Sequence, residues 1–324
     1  MRAIGAYQQQ FLDYLNTQKR PEEPQQLYAP IAYILNLGGK RLRPVLALLS
    51  ADAFNQKATA ALPAALAVEL FHNFTLMHDD IMDEAPLRRG KPTVHTKWDN
   101  NTALLSGDAL LIAAYQALEH YEAPLHSQLT RLLSQTAIEV CEGQQYDMDF
   151  EKLQGVTETQ YLQMIDLKTA VLLGCSLKMG ALVAQAALDA ADALYDFGRT
   201  LGIAFQIQDD YLDAFGDPKT FGKQVGGDII ENKKTMLYHQ TFQLGTTDQK
   251  ERLLALFATQ PAEPGEKIQE VCALFTASGA KKACADKVAF YTHQALGHLE
   301  GLSLRPQGRE ALEQFAKALM ARSF

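Results

Sequence analysis

Residues 61–90 read ALPAALAVELFHNFTLMHDDIMDEAPLRRG. To about residue 80 the apolar side chains recur at helical spacing with no strand-like alternation, which predicts a long apolar helix. At its end a histidine, three aspartates and a glutamate fall within residues 78–84, and two adjacent arginines and a glycine follow. In a helix, positions i, i+1 and i+4 lie on one side, so Asp79, Asp80 and Asp83 are expected to point together. Three like charges on one helical face are unfavourable without a cation. Oxygen-only ligands suit Mg²⁺, which keeps several waters and shares its shell with substrate phosphates. A solvated acidic helix face is the plain alternative for one such motif taken alone.

The motif occurs twice. LGIAFQIQDDYLD (201–213) ends a second apolar helix with Asp209, Asp210 and Asp213 at the same spacing, a repetition that a solvated face does not account for. Helical periodicity continues through 44–54, 102–121 and 129–144, with further helices expected over 158–187, 190–215, 234–245, 248–258, 266–276, 280–300 and 307–322. No period-2 run competes, so the fold class is all-α, a bundle of about ten or more helices. The breaks carry turn chemistry: PEEP (21–24), LGGK (37–40), APLRRGKP (85–92), FGDPKTFGKQVGG (215–227) and QPAEPGEK (260–267). None is a long low-complexity linker, and a single domain spanning 1–324 is expected.

Composition narrows the function. With 324 residues, 47% of them hydrophobic, the chain can bury a large core. A formal net charge of −8 argues against nucleic acid as a partner, because a phosphate backbone needs a broad basic surface. An anionic ligand must therefore meet a local basic cluster or a bound cation. No stretch approaches the ~18 uninterrupted apolar residues of a membrane span, and MRAIGAYQQQFLDYL (1–15) is amphipathic, so the expectation is a cytoplasmic protein without stable membrane insertion. Cys141, Cys175, Cys272 and Cys284 lack any CxxC spacing and read as reduced thiols.

The basic residues complete the chemistry. In LGGKRLRPV (37–45), Lys40, Arg41 and Arg43 cluster beside the start of a helix whose first turn accepts Pro44, a reasonable diphosphate site. Arg88 and Arg89 follow the first acidic triplet closely enough that guanidinium forks and a metal can share one phosphate. Singly, either cluster reads as a surface charge patch.

The combination GGKRLRP, HDDIMDEAPLRRG, KT (168–169) and FQIQDDYLD, from about residue 30 to 240, resembles the trans-isoprenyl diphosphate synthases, or polyprenyl synthetases, of short-chain farnesyl or geranylgeranyl type. The resemblance implies the isoprenoid synthase fold, a helical bundle around a central cavity, and a homodimer. It implies that Asp79, Asp80, Asp83, Asp209, Asp210 and Asp213 bind Mg²⁺, three ions per site, and through it an allylic diphosphate (dimethylallyl, geranyl or farnesyl). Lys40, Arg43, His72 and Arg89 match positions that hold isopentenyl diphosphate, with Arg88 on the allylic side. Lys168, Thr169 and Gln206 match positions flanking the reacting carbons, and Lys223 and Lys233 match lysines that close on the allylic diphosphate. The family's EGKKT is ENKKT here, with Asn232 in place of glycine.

The implied reaction is head-to-tail condensation to a short all-trans prenyl diphosphate and pyrophosphate. Product length is expected to be set by bulky residues before Asp79: Phe74 lies ~7.5 Å and Phe71 ~12 Å back along the helix axis. Thr75 is small where animal-type farnesyl synthases carry a second aromatic, so the resemblance implies C20, with C15 the near alternative. The helix over 102–121 serves either as a dimer interface or as ordinary core. Two other functions fit the fold: a class I terpene cyclase, which has no need of Lys40 and Arg43 and usually carries a mixed second metal motif, and a noncatalytic regulatory subunit, which would be expected to lose aspartates.

Overall fold

The computed structural model describes residues 2–19, 21–153, 155–216 and 226–321. It is almost entirely helical, as the periodicity predicts. The helices are α1 (Arg2–Thr17), α2 (Gln25–Asn36), α3 (Leu42–Ala53), α4 (Leu62–Met82), α5 (Val94–Lys97), α6 (Asn100–Leu118), α7 (Leu125–Lys152), α8 (Glu158–Ile165), α9 (Val171–Val183), α10 (Leu188–Phe215), α11 (Gly227–Ile230), α12 (Met236–Leu244), α13 (Thr247–Phe257), α14 (Gly265–Ala277), α15 (Ala280–Gly297) and α16 (Pro306–Met320). Contacts gather into two compact units. The first comprises residues 1–135, 175–194 and 302–312, and the second 136–174, 195–301 and 313–324.

The first unit is organised on α4. Pro63 opens that helix, where its missing N–H costs nothing, and burial extends nearly all round from Pro63 to Phe71. By length and composition residues 58–82 are apolar enough to cross a membrane, but 67% of the most apolar window is buried within the protein, which makes α4 a core helix. It packs against α6, whose inner face is Ala103, Ser106, Gly107, Leu110, Ala114 and Leu118. Asp99 caps α6 by accepting from the Thr102 amide at 2.9 Å. Phe11, Ile34, Leu46, Phe71, Met77 and Leu110 are fully buried in this core.

After α4 the chain makes a structure the periodicity did not predict, a hairpin of two-residue strands, β1 (Leu87–Arg88) and β2 (Lys91–Pro92), paired Arg88 to Lys91. Its two-residue loop, Arg89 and Gly90, has φ of 54° and 73°, the backbone a tight primed turn requires. Tyr33 donates to the Pro92 carbonyl at 2.7 Å and so ties the hairpin to α2.

In the second unit a hydrophobic core of Tyr161, Ile165, Ile207, Tyr211, Leu237, Val271 and Phe275 joins α8, α10, α12 and α14. The single helix expected over 158–187 is α8, a π-helical turn (Asp166–Ala170) and α9. Neighbouring helices touch that turn through glycine: a Cβ on Gly143 would fall on the Lys168 backbone, and one on Gly202 would lie 2.6 Å from Ala170 Cα. Arg199 fastens it with a fork onto Asp166, Nε donating to Oδ1 at 2.6 Å. A π turn is a common way to aim functional side chains, and this one carries Lys168 and Thr169.

Candidate active site

In the first unit, Asp79 and Asp80 occupy the last turn of α4 and Asp83 caps its C-terminus. The helix dipole there disfavours negative charge, so the local backbone adds to the demand for a cation. The three carboxylates do not point alike. Asp80 is 2% exposed and turned inward, where Arg88 grips it with Nε 2.8 Å from Oδ2 and Nη2 2.7 Å from Oδ1. Asp79 is half-buried and Asp83 exposed. Positions i and i+4 share a face, but i+1 lies about 100° around the helix, enough to place the middle aspartate in the interior. Among the described residues no three His, Cys, Asp or Glu side chains are drawn together closely enough to hold a metal.

The GGKR turn separates its cations. Arg41, expected beside Lys40 and Arg43 in a diphosphate cluster, is engaged elsewhere: it is 5% exposed, and its guanidinium bonds the Glu69 carboxylate and the Leu35 carbonyl. Glu69, buried within α4, needs that counter-charge, and Asn73 adds a hydrogen bond to it at 3.0 Å. Lys40 is exposed. Arg43, in the first turn of α3, has Nη1 3.1 Å from His72 Nε2. Burial pushes Arg43 down to about 10, opposed by Glu69. Burial, then Arg43, Arg88, Arg89 and Arg41, holds His72 well below the usual histidine range, so its Nε2 accepts from Arg43. Arg89 reaches the Gly38 carbonyl, and burial lowers its pKa. Arg43, His72, Arg88 and Arg89 thus share one basic corner.

Of the residues assigned to chain length, Phe71 is fully buried. Phe74 is half-buried, with its ring 5.6 Å from Phe71 and 4.7 Å from His78, and Thr75 donates to the His72 carbonyl at 2.9 Å.

In the second unit a cavity of about 140 Å³ is lined by Tyr161, Lys168, Thr169, Gln206, Asp210 and Lys233 among others. Lys168 pairs with Asp147. Thr169 Oγ1 donates to Gln206 Oε1 at 3.3 Å, and Gln206 Nε2 donates to Asp210 Oδ1 at 3.2 Å. Asp210 repeats the placement of Asp80: it is 6% exposed and also takes the Tyr161 hydroxyl. Burial raises its pKa to about 7, against hydrogen bonds from Tyr161, Gln206 and the Met236 amide. Asp209 and Asp213 are half-buried, and Asp213 Oδ2 accepts from the Asp228 amide at 3.0 Å. Asp228 is raised well above the carboxylate range by burial and then by Asp210 and Asp213. Lys233 pairs with Glu231 at 2.8 Å; burial lowers its pKa, but the Glu231 hydrogen bond and charge, with Asp147 and Asp228, raise it on balance. Lys223 lies outside the described residues.

A family model described as polyprenyl synthetase matches residues 24–275. The chain belongs to that family. It is 44% identical over 236 residues to a geranylgeranyl diphosphate synthase of Methanosarcina mazei, 72% of each chain. A geranylfarnesyl diphosphate synthase of Natronomonas pharaonis is 39% identical over 234 residues, 67% of this chain and 69% of that one. A crystal structure of a geranylgeranyl pyrophosphate synthase shares 49% identity and superposes with a TM-score of 0.96 over 99% of both chains. The protein is therefore a prenyltransferase of the short-chain trans-isoprenyl diphosphate synthase type with the all-α isoprenoid synthase fold, as the motifs implied.

The synthase also sets side chains around its cavity that motif reading passed over: Asp147, Tyr161, Asp228 and Lys234. Tyr161 had a signal, since it precedes Lys168 by the same seven residues that separate His72 from Asp79, two turns along one helical face. Asp147 had none, because only the fold brings α7 against the π turn.

Proposed function

We propose that this synthase condenses isopentenyl diphosphate with an allylic diphosphate head to tail, in a Mg²⁺-dependent reaction that yields mainly a C20 all-trans prenyl diphosphate and pyrophosphate. The observation that carries the reading is the basic corner of the first unit, where neutral His72 accepts from Arg43 at 3.1 Å amid Arg88 and Arg89, a setting that calls for a multiply charged anion. In the allylic substrate the C–O bond breaks with its electron pair leaving on pyrophosphate. The isopentenyl double bond forms the new C–C bond, and a proton of the resulting cation passes to pyrophosphate.

The chain's residues serve each stage. Thr169 spends its proton on Gln206, which leaves hydroxyl lone pairs to stabilise a passing allylic cation. Lys168 and Lys233 supply positive charge toward the leaving group. The apolar lining of Phe150, Val156, Met164 and Ile165 excludes water that would quench the cation. Asp79, Asp80 and Asp83, with Asp209, Asp210 and Asp213, would hold Mg²⁺: all are oxygen donors, and α4 presents its set at the negative end of a helix. When bound, the metal supplies electrostatic stabilisation of the departing diphosphate.

Several wider readings go with this one. The chain 1–324 works as one synthetase domain, a homodimer in the cytoplasm. Exposed Leu105 and Ile112, seven residues apart on the outer face of α6, support self-association through that helix. Four free cysteines suit a reducing compartment. Incubation with Mg²⁺, labelled isopentenyl diphosphate and geranyl or farnesyl diphosphate, followed by sizing of the products, tests the function. C20 is the expected product and C15 the near alternative; the Natronomonas relative makes C25 the next length to resolve. No elongation, or chains of C30 and beyond, would refute the reading.

A further inference from the structure

ENKKT (231–235) carries asparagine where the family pattern has glycine, and the structure gives that asparagine a task. Asn232 has φ of 58°, a left-handed conformation that asparagine tolerates better than other side chains. Its Oδ1 accepts from Lys267 Nζ at 2.5 Å, and the same ammonium donates to the Thr259 carbonyl at 2.8 Å. Lys267 is 4% exposed and, among the described residues, has no carboxylate within ion-pair distance. A buried ammonium whose hydrogen bonds go to neutral oxygens, with the Phe257 ring 5.8 Å away, is costly, and burial lowers its pKa.

The next residue of α14 grips the other end of the same segment. A Cβ on Gly226, whose φ is 85°, would lie 2.8 Å from Ile268 Cδ1, so the helix presses directly on that backbone. Between Gly226 and Asn232 the segment is tied to the acidic helix: the Gly226 amide donates to the Asp213 carbonyl at 2.6 Å and the Asp228 amide to Asp213 Oδ2 at 3.0 Å. At its exit the Lys233 amide donates to the Asp228 carbonyl at 2.8 Å.

The geometry points to a clamp: Lys267 and Ile268 are positioning residues that fix residues 226–232 at both ends and thereby aim Lys233 before the allylic diphosphate arrives. The inference rests on the assignment of Lys233 to that diphosphate. Replacement of a permissive glycine by a pegged asparagine removes freedom that binding would otherwise have to quench.

The test compares Asn232→Gly, Lys267→Met and their combination, with Asn232→Asp as the variant that keeps both the backbone preference and the acceptor. Geranyl diphosphate binding is measured calorimetrically with Mg²⁺, KM is determined separately for each substrate, and the urea midpoint is followed. Asn232→Gly and Lys267→Met should each weaken geranyl diphosphate binding on the order of tenfold, the scale of one hydrogen bond to a charged group. The isopentenyl diphosphate KM should stay unchanged, the double variant should be no worse than either single one, and Asn232→Asp should bind like wild type. Should Lys267→Met fail to fold, half-buried Asn232→Gly carries the test by itself. A lowered urea midpoint with unchanged binding, additive losses, or equal effects on both substrates would overturn the clamp. Lys233→Ala keeps the two ideas apart: no loss there overturns the role of Lys233, whereas a loss there with none at Asn232 or Lys267 overturns the clamp alone.

Discussion

Removal of Arg88 should cost stability as well as activity, and magnesium should restore part of the stability. The Asp80 side chain is 3% exposed and that of Arg88 25% exposed, with Nε and Nη2 both on the carboxylate within 2.7–3.0 Å. Deleting one partner of a buried ion pair costs about 3–5 kcal/mol, because the remaining charge keeps its desolvation penalty. Arg88 is a quarter exposed, so water enters where the guanidinium was, and Arg88→Ala should lose about 2–3 kcal/mol. Asp80→Asn leaves a partly hydrated guanidinium and should cost about 1 kcal/mol. If the penalty is the stranded carboxylate, adding Asp80→Asn to Arg88→Ala should return stability rather than subtract more. Urea unfolding followed by far-ultraviolet circular dichroism gives all four corners of the cycle. Millimolar Mg²⁺ should raise the midpoint of Arg88→Ala more than that of the wild type, since a cation at Asp80 replaces the lost arginine. A loss below ~0.5 kcal/mol for Arg88→Ala, or additive losses in the double variant, would refute this account of the buried aspartate.

Other perturbations separate the remaining parts. Arg43→Ala, which removes the donor to His72, should raise the isopentenyl diphosphate KM by about tenfold or more and leave allylic diphosphate binding less affected; equal loss in direct binding measurements contradicts the assignment. Asp209→Ala should cut turnover by about a hundredfold or more while the helical circular dichroism is kept, and near-normal activity would remove it from the metal set. Phe74→Ala opens the space beside Phe71 and His78 and should lengthen the product by at least one isoprene unit; an unchanged product spectrum means another residue forms the floor. Burial holds His239 down to about 4 against an ordinary 6.5, so between those values the unfolded chain binds a proton that the folded chain refuses. Its contribution is complete above pH ~6.5 and is lost as pH falls toward 4, up to ~3 kcal/mol in all, and His239→Gln should flatten that slope in urea midpoints measured across the range.

The helices were legible wherever apolar spacing was sustained, as in α4, α6 and α10, because one buried stripe dictates both the period and the face. Where tertiary contact decides, the sequence is mute. DLKTA (166–170) is ordinary helical sequence, and its π turn follows from how α7 and α10 lie against it through Gly143 and Gly202. In GGKRLRP three cations look alike, yet Arg41 turns inward. The clue was on another element, since Glu69 amid the apolar residues of α4 must find a partner. The hairpin escaped because two-residue strands have no period to detect, although an arginine–glycine pair between APLR and KP marked a turn.

The acidic motif shows most clearly what a linear pattern leaves unspecified. DDxxD reads as three equivalent ligands, but one step of a helix turns a side chain by about 100°, and in both copies the middle aspartate faces inward. Asp80 is bound by Arg88, and Asp210 by Tyr161 and Gln206. The outer pairs, Asp79 with Asp83 and Asp209 with Asp213, remain partly or fully exposed at i, i+4 spacing, where like charges repel. In the proposed reaction a bound Mg²⁺ would relieve the outer pair, whereas an arginine, or a phenol and an amide, bonds the middle residue. The same three letters would then carry two physical roles. A substitution at the outer positions should register first in metal dependence, and one at the middle position in both metal dependence and stability.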